Sequence, residues 1–396
     1  GEILRERWGF DGYVVSDCGA LRDIYKHHKM ADSPEEATAM AVKAGCDLNC
    51  GCIYTHLNKA IEKGFVTEDD IDVALRRLLI ARFRLGMFDP EEKVSYARIS
   101  YDVNDCLEHR RLALDAARES LVLLKNDGLL PLPKDIDCLA VIGPNAHDTQ
   151  VLHGNYAGMS SKTVTPLDGI RAKVSVDTRV LYALGCEMVP TENLAVGKRT
   201  RYFAEAELAA ERADVVVMCL GLSSLIEGEE GDASNADAAG DRIHLNLHGI
   251  QQQLLERIVA LGKPVVLVVL SGSGVAIGWA DEHCPAILQA WYPGEEGGTA
   301  IADALFGDYN PGGRLPVTWV CGLEQLPPME DYRMEGRTYR FMKDQPLYPF
   351  GWGSSYTTFG YLNLKVTETA HVDEEIEVSV DVINSGERAG DEVAQL

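Results

Sequence analysis

Nowhere in the 396 residues do about 18 apolar side chains follow one another, so no segment reads as a membrane-spanning helix. Positive charge is scarce too: 37 Lys and Arg stand against 61 Asp and Glu, a net charge of −24. A surface of that sign repels polyphosphates and anionic bilayers, which disfavours nucleic acid and membrane as partners and leaves neutral ligands such as sugars. Ten cysteines are present, but Cys46, Cys50 and Cys52 lack the second pair that zinc-finger spacing requires. His27, His28 and His153 also lack ligand spacing, so no metal is implied and the thiols read as mostly buried. Gly143-Pro144-Asn145-Ala146 follows a strand but has neither the glycine spacing nor the Lys of a phosphate loop. No organic cofactor is implied.

What is there begins with Gly9-Phe10-Asp11-Gly12-Tyr13-Val14-Val15-Ser16-Asp17-Cys18-Gly19. The aromatic and β-branched run reads as a short buried strand that ends at a carboxylate. The carboxyl end of a strand is where chemistry collects in parallel α/β folds. Asp17 reads equally as a cap of the next helix or turn. Ser33, Pro34 and Glu36 mark a helix start with a capping box, and Gly45 marks its end. A strand Cys46–Cys50 and a helix near Tyr54–Lys63 follow, and Thr67 with Asp70 opens another helix, so residues 1–88 read strand, helix, strand, helix.

Residues 89–137 read as a linker with an amphipathic helix from about Cys106 to Lys125. A second domain, 138–322, alternates strands (Leu139–Gly143, Val180–Leu184, Asp214–Leu222, Pro264–Ser271, Ala286–Trp291, Gly313–Trp319) with helices near Phe203–Arg212, Ile250–Leu261 and Gly297–Phe306. This alternation predicts a parallel sheet covered on both faces. The irregular stretch Ser223–Arg242 interrupts it and carries Glu227, Glu229, Glu230, Asp232, Asp237 and Asp241. A loop this long is either functional or a solvated acidic segment. After a connector, 323–360, the period-two alternation Ile376, Val378, Val380, Val382 predicts an antiparallel strand in residues 361–396. Trp291 and Tyr292 read as core or as a stacking surface for a sugar ring, and Glu335–Tyr339 as structural or as a segment that approaches the site.

Several segments resemble glycoside hydrolase family 3. Gly9–Ala20 is similar to the family's nucleophile motif, and Leu121-Val-Leu-Leu-Lys-Asn-Asp-Gly-Leu-Leu-Pro-Leu132 to the start of its second domain. Ile226-Glu-Gly-Glu-Glu230 with Gly240-Asp-Arg242 is similar to its acid/base loop. Ala290–Gly298, Gly307–Pro316 and Tyr348–Tyr356 match in the same order. The resemblance implies an α/β chain holding the C-terminal part of a TIM-like (β/α)8 barrel, then a flavodoxin-like α/β sandwich, then the start of a fibronectin-III-like β-sandwich. It implies a retaining, exo-acting β-glycosidase with Asp17 as nucleophile and Glu227 as general acid/base, Glu229 being the alternative. Its substrate would be a small oligosaccharide or aryl glycoside. The two carboxyl groups of a retaining enzyme are expected roughly 5–5.5 Å apart. Cys18 stands where many β-glucosidases of the family carry Trp and would line the sugar-binding wall near the cleavage point, where a smaller side chain favours β-xylosidase, with α-L-arabinofuranosidase activity beside it, over β-glucosidase. A non-catalytic sugar-binding protein on the same fold is the reading from another class. With the earlier barrel strands outside this sequence, residues 1–88 are expected to leave apolar faces uncovered, and the segment to be inactive and aggregation-prone by itself.

Overall fold

The computed structural model describes residues 1–189, 199–229 and 242–396. The chain divides into two compact units, Gly1–Val103 and Asn104–Leu396, and the division falls inside the stretch expected to be a linker.

The first unit carries four α-helices: α1 (Ala20–Lys26), α2 (Pro34–Ala44), α3 (Leu57–Glu62) and α4 (Glu68–Arg84). Their ends follow the sequence signals. The Ser33 hydroxyl accepts from the Glu36 amide, Pro34 occupies the first turn, and Gly45 closes α2 in the left-handed region at φ +96°. The Glu36 carboxylate turns to the amide of Asp32 instead of Ser33, so the expected capping box is half made. At α4 both halves are present between Thr67 and Asp70. The two expected strands are not regular strands. Residues 14–19 and 46–50 run parallel and share one bridge, Val15 to Leu48. Among the described residues each has only the other as a bridge partner, and Phe10, Tyr13 and Val15 are exposed rather than buried. A buried carboxylate secures this pair. Asp47, whose side chain is 1% exposed, accepts from Arg5 at 2.8 Å, Arg77 at 2.9 Å and the Val14 amide at 2.9 Å. Two guanidiniums and an amide supply the compensation that an isolated buried charge would lack.

The second unit begins with α5 (Leu107–Ser120), β1 (Val122–Asn126), β2 (Cys138–Ile142), α6 (Pro166–Lys173), β3 (Arg179–Ala183) and α7 (Phe203–Arg212). It continues with β4 (Val215–Gly221), α8 (Gln251–Val259), β5 (Val265–Leu270), α9 (Gly278–His283), β6 (Ala286–Gln289) and α10 (Gly297–Leu305). The six strands form one sheet in the order β1-β6-β5-β4-β2-β3. All neighbours are parallel except β1, which runs antiparallel to β6 with Val122 opposite Gln289. The side-chain period of two sorts the central strands. Val216, Met218 and Leu220 join one apolar cluster with Phe203 of α7 and Leu254 of α8. Val215, Val217 and Cys219 join another with Leu167 of α6 and Ile301 of α10. The result is a sheet buried on both faces, where each fully covered Val, Leu or Ile contributes about 1.5–3 kcal/mol.

Two contacts fix α10. Gly298 and Gly169 let α10 and α6 touch backbone to backbone: a Cβ on Gly298 would lie 2.0 Å from the Thr165 carbonyl oxygen. On the same helix the Asp303 carboxylate, 1% exposed, meets Arg118 of α5 (Nη2 at 2.5 Å) and Lys173 of α6.

The second unit differs from expectation in three respects. β1 lies in the stretch read as linker. Gly313–Trp319 is not a strand; Pro316 interrupts it, and among the described residues only Trp319 bridges, to Tyr348. The helices α6 and α9 were not expected. The phosphate-loop-like Gly143–Ala146 has a packing role instead: a Cβ on Gly143 would sit 2.1 Å from the Cys219 carbonyl, and Asn145 donates to the Leu222 carbonyl at 2.8 Å. Beyond the sheet, β7 (Phe359–Val366) and β8 (Val378–Asn384) pair antiparallel, the latter shifted two residues from the expected strand. No helix among the described residues is long and apolar enough to cross a membrane.

Candidate active site

In the first unit, Asp17 stands exposed at the end of the 14–19 segment. Its Oδ1 accepts from the Cys18 amide at 2.8 Å. It does not cap α1, whose N-cap is Gly19 at φ +76° with no side-chain hydrogen bond. The backbone around it is fixed from the 48–50 side. The Ser16 amide donates to the Leu48 carbonyl at 2.9 Å, and the Gly19 amide to the Cys50 carbonyl at 3.0 Å. The Ser16 hydroxyl accepts from Asn49 Nδ2 at 3.1 Å and from the Cys50 amide at 3.0 Å. A disulfide joins Cys18 to Cys50. Cys18, expected to form part of the sugar-binding wall, is therefore bonded covalently beside Asp17, to a partner that its spacing does not reveal. The expectation of mostly buried thiols holds for Cys138, Cys186, Cys219 and Cys284, whereas Cys52 and Cys321 are exposed.

In the second unit, the loop carrying Glu227 and Glu229 leaves the carboxyl end of β4. Glu230, Asp232, Asp237 and Asp241 lie outside the described residues. Ile226 is buried and its amide donates to the Ser223 carbonyl at 2.9 Å, as does that of Glu227 at 3.0 Å. The Glu227 carboxylate is met from the ends of the next two strands. After β5, the Gly272 amide donates to Oε2 at 2.8 Å and the Ser273 hydroxyl donates to Oε1. After β6, the Tyr292 hydroxyl donates to Oε2 at 2.8 Å. Arg242 Nε lies 3.8 Å from Oε1. Burial, and after it the negative charge of Glu227, pushes the Tyr292 phenol well above its usual range, so it stays a neutral donor. Glu229 is exposed, and its Oε2 accepts from the Tyr156 hydroxyl at 3.1 Å.

Two cavities flank the loop base. One of about 470 Å³ is lined by Arg242, Ser273, Trp291, Thr318 and Trp319. The other, about 410 Å³, is lined by Gln150, the 153–158 segment, Ser224 and Leu225. Trp291 is half-buried and packs against the core, its indole N–H donating to the Ser120 carbonyl at 2.9 Å. Arg337 donates to the carbonyls of Pro328 and Asp331, a structural use of that segment. Among the described residues no group of three or more His, Cys, Asp or Glu is placed to hold a metal.

Residues 121–356 match the glycosyl hydrolase family 3 C-terminal domain, and residues 1–81 match the family's N-terminal domain. The chain belongs to glycosyl hydrolase family 3. Asp17 falls in the N-terminal match, Glu227 and Glu229 in the C-terminal one. Among similar family members is the Xylan 1,4-beta-xylosidase of Xylanibacter ruminicola, 33% identical over all of this chain and 62% of its own length. The Probable beta-D-xylosidase 7 of Arabidopsis thaliana is 43% identical over 92% of this chain and 47% of its own. Of solved structures, the β-glucosidase EmGH1 from Erythrobacter marinus aligns with a TM-score of 0.86 at 36% identity, covering 98% of this chain and 54% of that one. The chain thus spans about half to three-fifths of the curated relatives it matches.

Sequence reasoning placed Asp17, Glu227 and Glu229 on this family's motifs but missed Gly272, Ser273 and Tyr292 as partners of Glu227. A signal existed, since all three follow the carboxyl ends of predicted strands, where ligand-facing groups gather in a parallel sheet.

Proposed function

We propose that the protein is a retaining exo-acting glycosidase that removes terminal non-reducing β-linked sugars, xylose first. The observation that carries this reading is an exposed carboxylate, Asp17, on a backbone held by hydrogen bonds and a disulfide, in a chain of glycosyl hydrolase family 3. In the first step a carboxylate oxygen of Asp17 attacks the anomeric carbon and the glycosidic C–O bond breaks. The departing oxygen takes a proton from a carboxyl of the 227–229 loop. In the second step that carboxylate takes a proton from water, the water oxygen bonds to the anomeric carbon, and Asp17 leaves as carboxylate. No metal or organic cofactor enters either step.

Xylose is favoured by Cys18, which is occupied by its disulfide, and by the names of the two curated relatives. α-L-arabinofuranosidase activity would accompany it. The similarity to EmGH1 supports β-glucosidase as the second reading. The test is incubation of the full-length protein, which supplies the barrel strands outside this sequence, with 2-fluoro xyloside and 2-fluoro glucoside carrying a good leaving group, followed by peptide mass mapping. A sugar bonded to Asp17 is expected, with the xyloside reacting faster. Turnover of aryl glycosides by Asp17→Ala at a near-normal rate would refute the assignment. An unlabelled Asp17 in a protein that still binds sugar would leave a binding protein without chemistry.

A further inference from the structure

We propose that Glu227 is a positioning residue, which ties the start of its loop to the carboxyl ends of β5 and β6, and that Glu229 carries the proton. The inference rests on the glycosidase reading above and decides between the two loop carboxylates.

The first argument is occupancy. Both oxygens of Glu227 are engaged, Oε2 by the Gly272 amide and the Tyr292 hydroxyl, Oε1 by the Ser273 hydroxyl with Arg242 beside it. A general acid/base must bring an oxygen within about 2.6–3.2 Å of the atom it serves and alternate between holding and accepting a proton. The partners here are donors, and an amide N–H and a guanidinium cannot reverse to accept. A proton on Oε2 would face the Gly272 amide, and a proton on Oε1 would require the Ser273 hydroxyl, which already accepts from Arg242, to turn its own proton away.

The second argument is the local backbone. Ile226 is buried, and the amides of residues 226 and 227 both return to the Ser223 carbonyl. A Cβ on Gly228 would lie 2.2 Å from Asn155 Oδ1, so the chain passes that side chain with no room to spare. Residue 229 then emerges into solvent, two residues from the clamp, its carboxylate on the Tyr156 hydroxyl. One acid is locked and its neighbour is presented.

The third argument is strain. Trp291 has φ +56°, a left-handed conformation that a bulky residue adopts only when its surroundings impose it. It lies between the end of β6 and Tyr292, and its indole is anchored on Ser120. The distorted backbone sets Tyr292 on Glu227.

The experiment compares Glu227→Gln, Glu227→Ala, Tyr292→Phe and Glu229→Ala in the full-length protein, with aryl xylosides of good and poor leaving groups. Glu229→Ala should lose about 10²–10⁴-fold on poor leaving groups, keep its reaction with dinitrophenyl substrates, and recover turnover with azide to give glycosyl azide. Glu227→Gln should lose about 10²-fold, as misplacement of a reacting group does, equally for all leaving groups, with no azide rescue. Tyr292→Phe should act in the same direction and add little to Glu227→Gln. Hydrogen exchange in peptides covering residues 223–229 should speed at least tenfold in Glu227→Gln and stay unchanged in Glu229→Ala. Glycosyl azide formed by Glu227→Ala, or unchanged exchange in Glu227→Gln, would overturn the proposal. A full-length wild-type protein that turns over no aryl glycoside would sink the glycosidase reading, while the exchange measurement would still decide whether the clamp exists.

Discussion

Asp303 should be among the most costly single positions in the second unit. Its carboxylate is 1% exposed and pairs with Arg118 through Nε at 2.9 Å and Nη2 at 2.5 Å, and with Lys173. Asp303→Ala leaves two cations on neighbouring helices facing a vacated site. Breaking one partner out of a buried ion pair costs about 3–5 kcal/mol. Arg118 and Lys173 are 30% and 23% exposed and can recover part of their hydration, so the lower end, about 3 kcal/mol, is expected. At about 2–3 °C per kcal/mol for a unit of this size, the melting midpoint should fall by about 6–9 °C. Four of the five tryptophans lie in this unit, so urea unfolding followed by tryptophan fluorescence reads it out. The combination Asp303→Leu, Arg118→Met and Lys173→Met should regain much of the loss, because the three ions would be removed together while Asp308, which also pairs with Lys173, keeps Lys134. A loss below about 1 kcal/mol for Asp303→Ala, or a triple variant that is the sum of its parts, would refute the reasoning.

Lys134 and Lys173 hold the Asp308 carboxyl below the usual aspartate range. Its contribution is therefore intact above about pH 4 and lost as pH falls through the depressed native value. Urea midpoints against pH should drop on the acid side, and Asp308→Asn should flatten that arm. Gly298→Ala should unfold or strongly destabilise the second unit, since its Cβ would meet the Thr165 carbonyl at 2.0 Å; a melting curve like that of the wild type would exclude the close crossing of α6 and α10. Reduction by dithiothreitol, or Cys50→Ser, should destabilise the first unit by about 3–4 kcal/mol, the loop-closure value for a 32-residue separation, and slow labelling of Asp17 by the 2-fluoro xyloside. Unchanged labelling would show that the bridge does not hold the carboxylate in place.

The elements that sequence reasoning placed well are those whose signals are local. Val265–Leu270 is an unbroken apolar run, and Thr67 with Asp70 signals α4 within four residues. Thr165-Pro166-Leu167-Asp168 carries the same kind of start signal for α6, with the Thr165 hydroxyl accepting from the Asp168 amide, yet the helix is only two turns long, too short for an apolar period to show. β1 could not be read this way. Its partner β6 lies more than 150 residues on and runs antiparallel within an otherwise parallel sheet. The 14–19 and 46–50 segments have strand-like composition, but composition does not reveal how many neighbours a segment pairs with. The same limit applied at the candidate site. Asp17 and the loop glutamates stood out as motifs, whereas the partners of Glu227 come from 45, 46 and 65 residues away, brought together only by the register of β4, β5 and β6.

The stub formed by residues 223–228 makes a natural graft point. Its anchors are the Ser223 carbonyl and the ends of β5 and β6, so the direction in which the chain reaches residue 229 is fixed from the sheet side. On the glycosidase reading proposed above, chimeras that exchange only residues 230–241 between relatives should keep the hydrolytic step and differ in which aglycones they accept. Selection or design could adjust substrate reach there while leaving the scaffold of the sheet untouched.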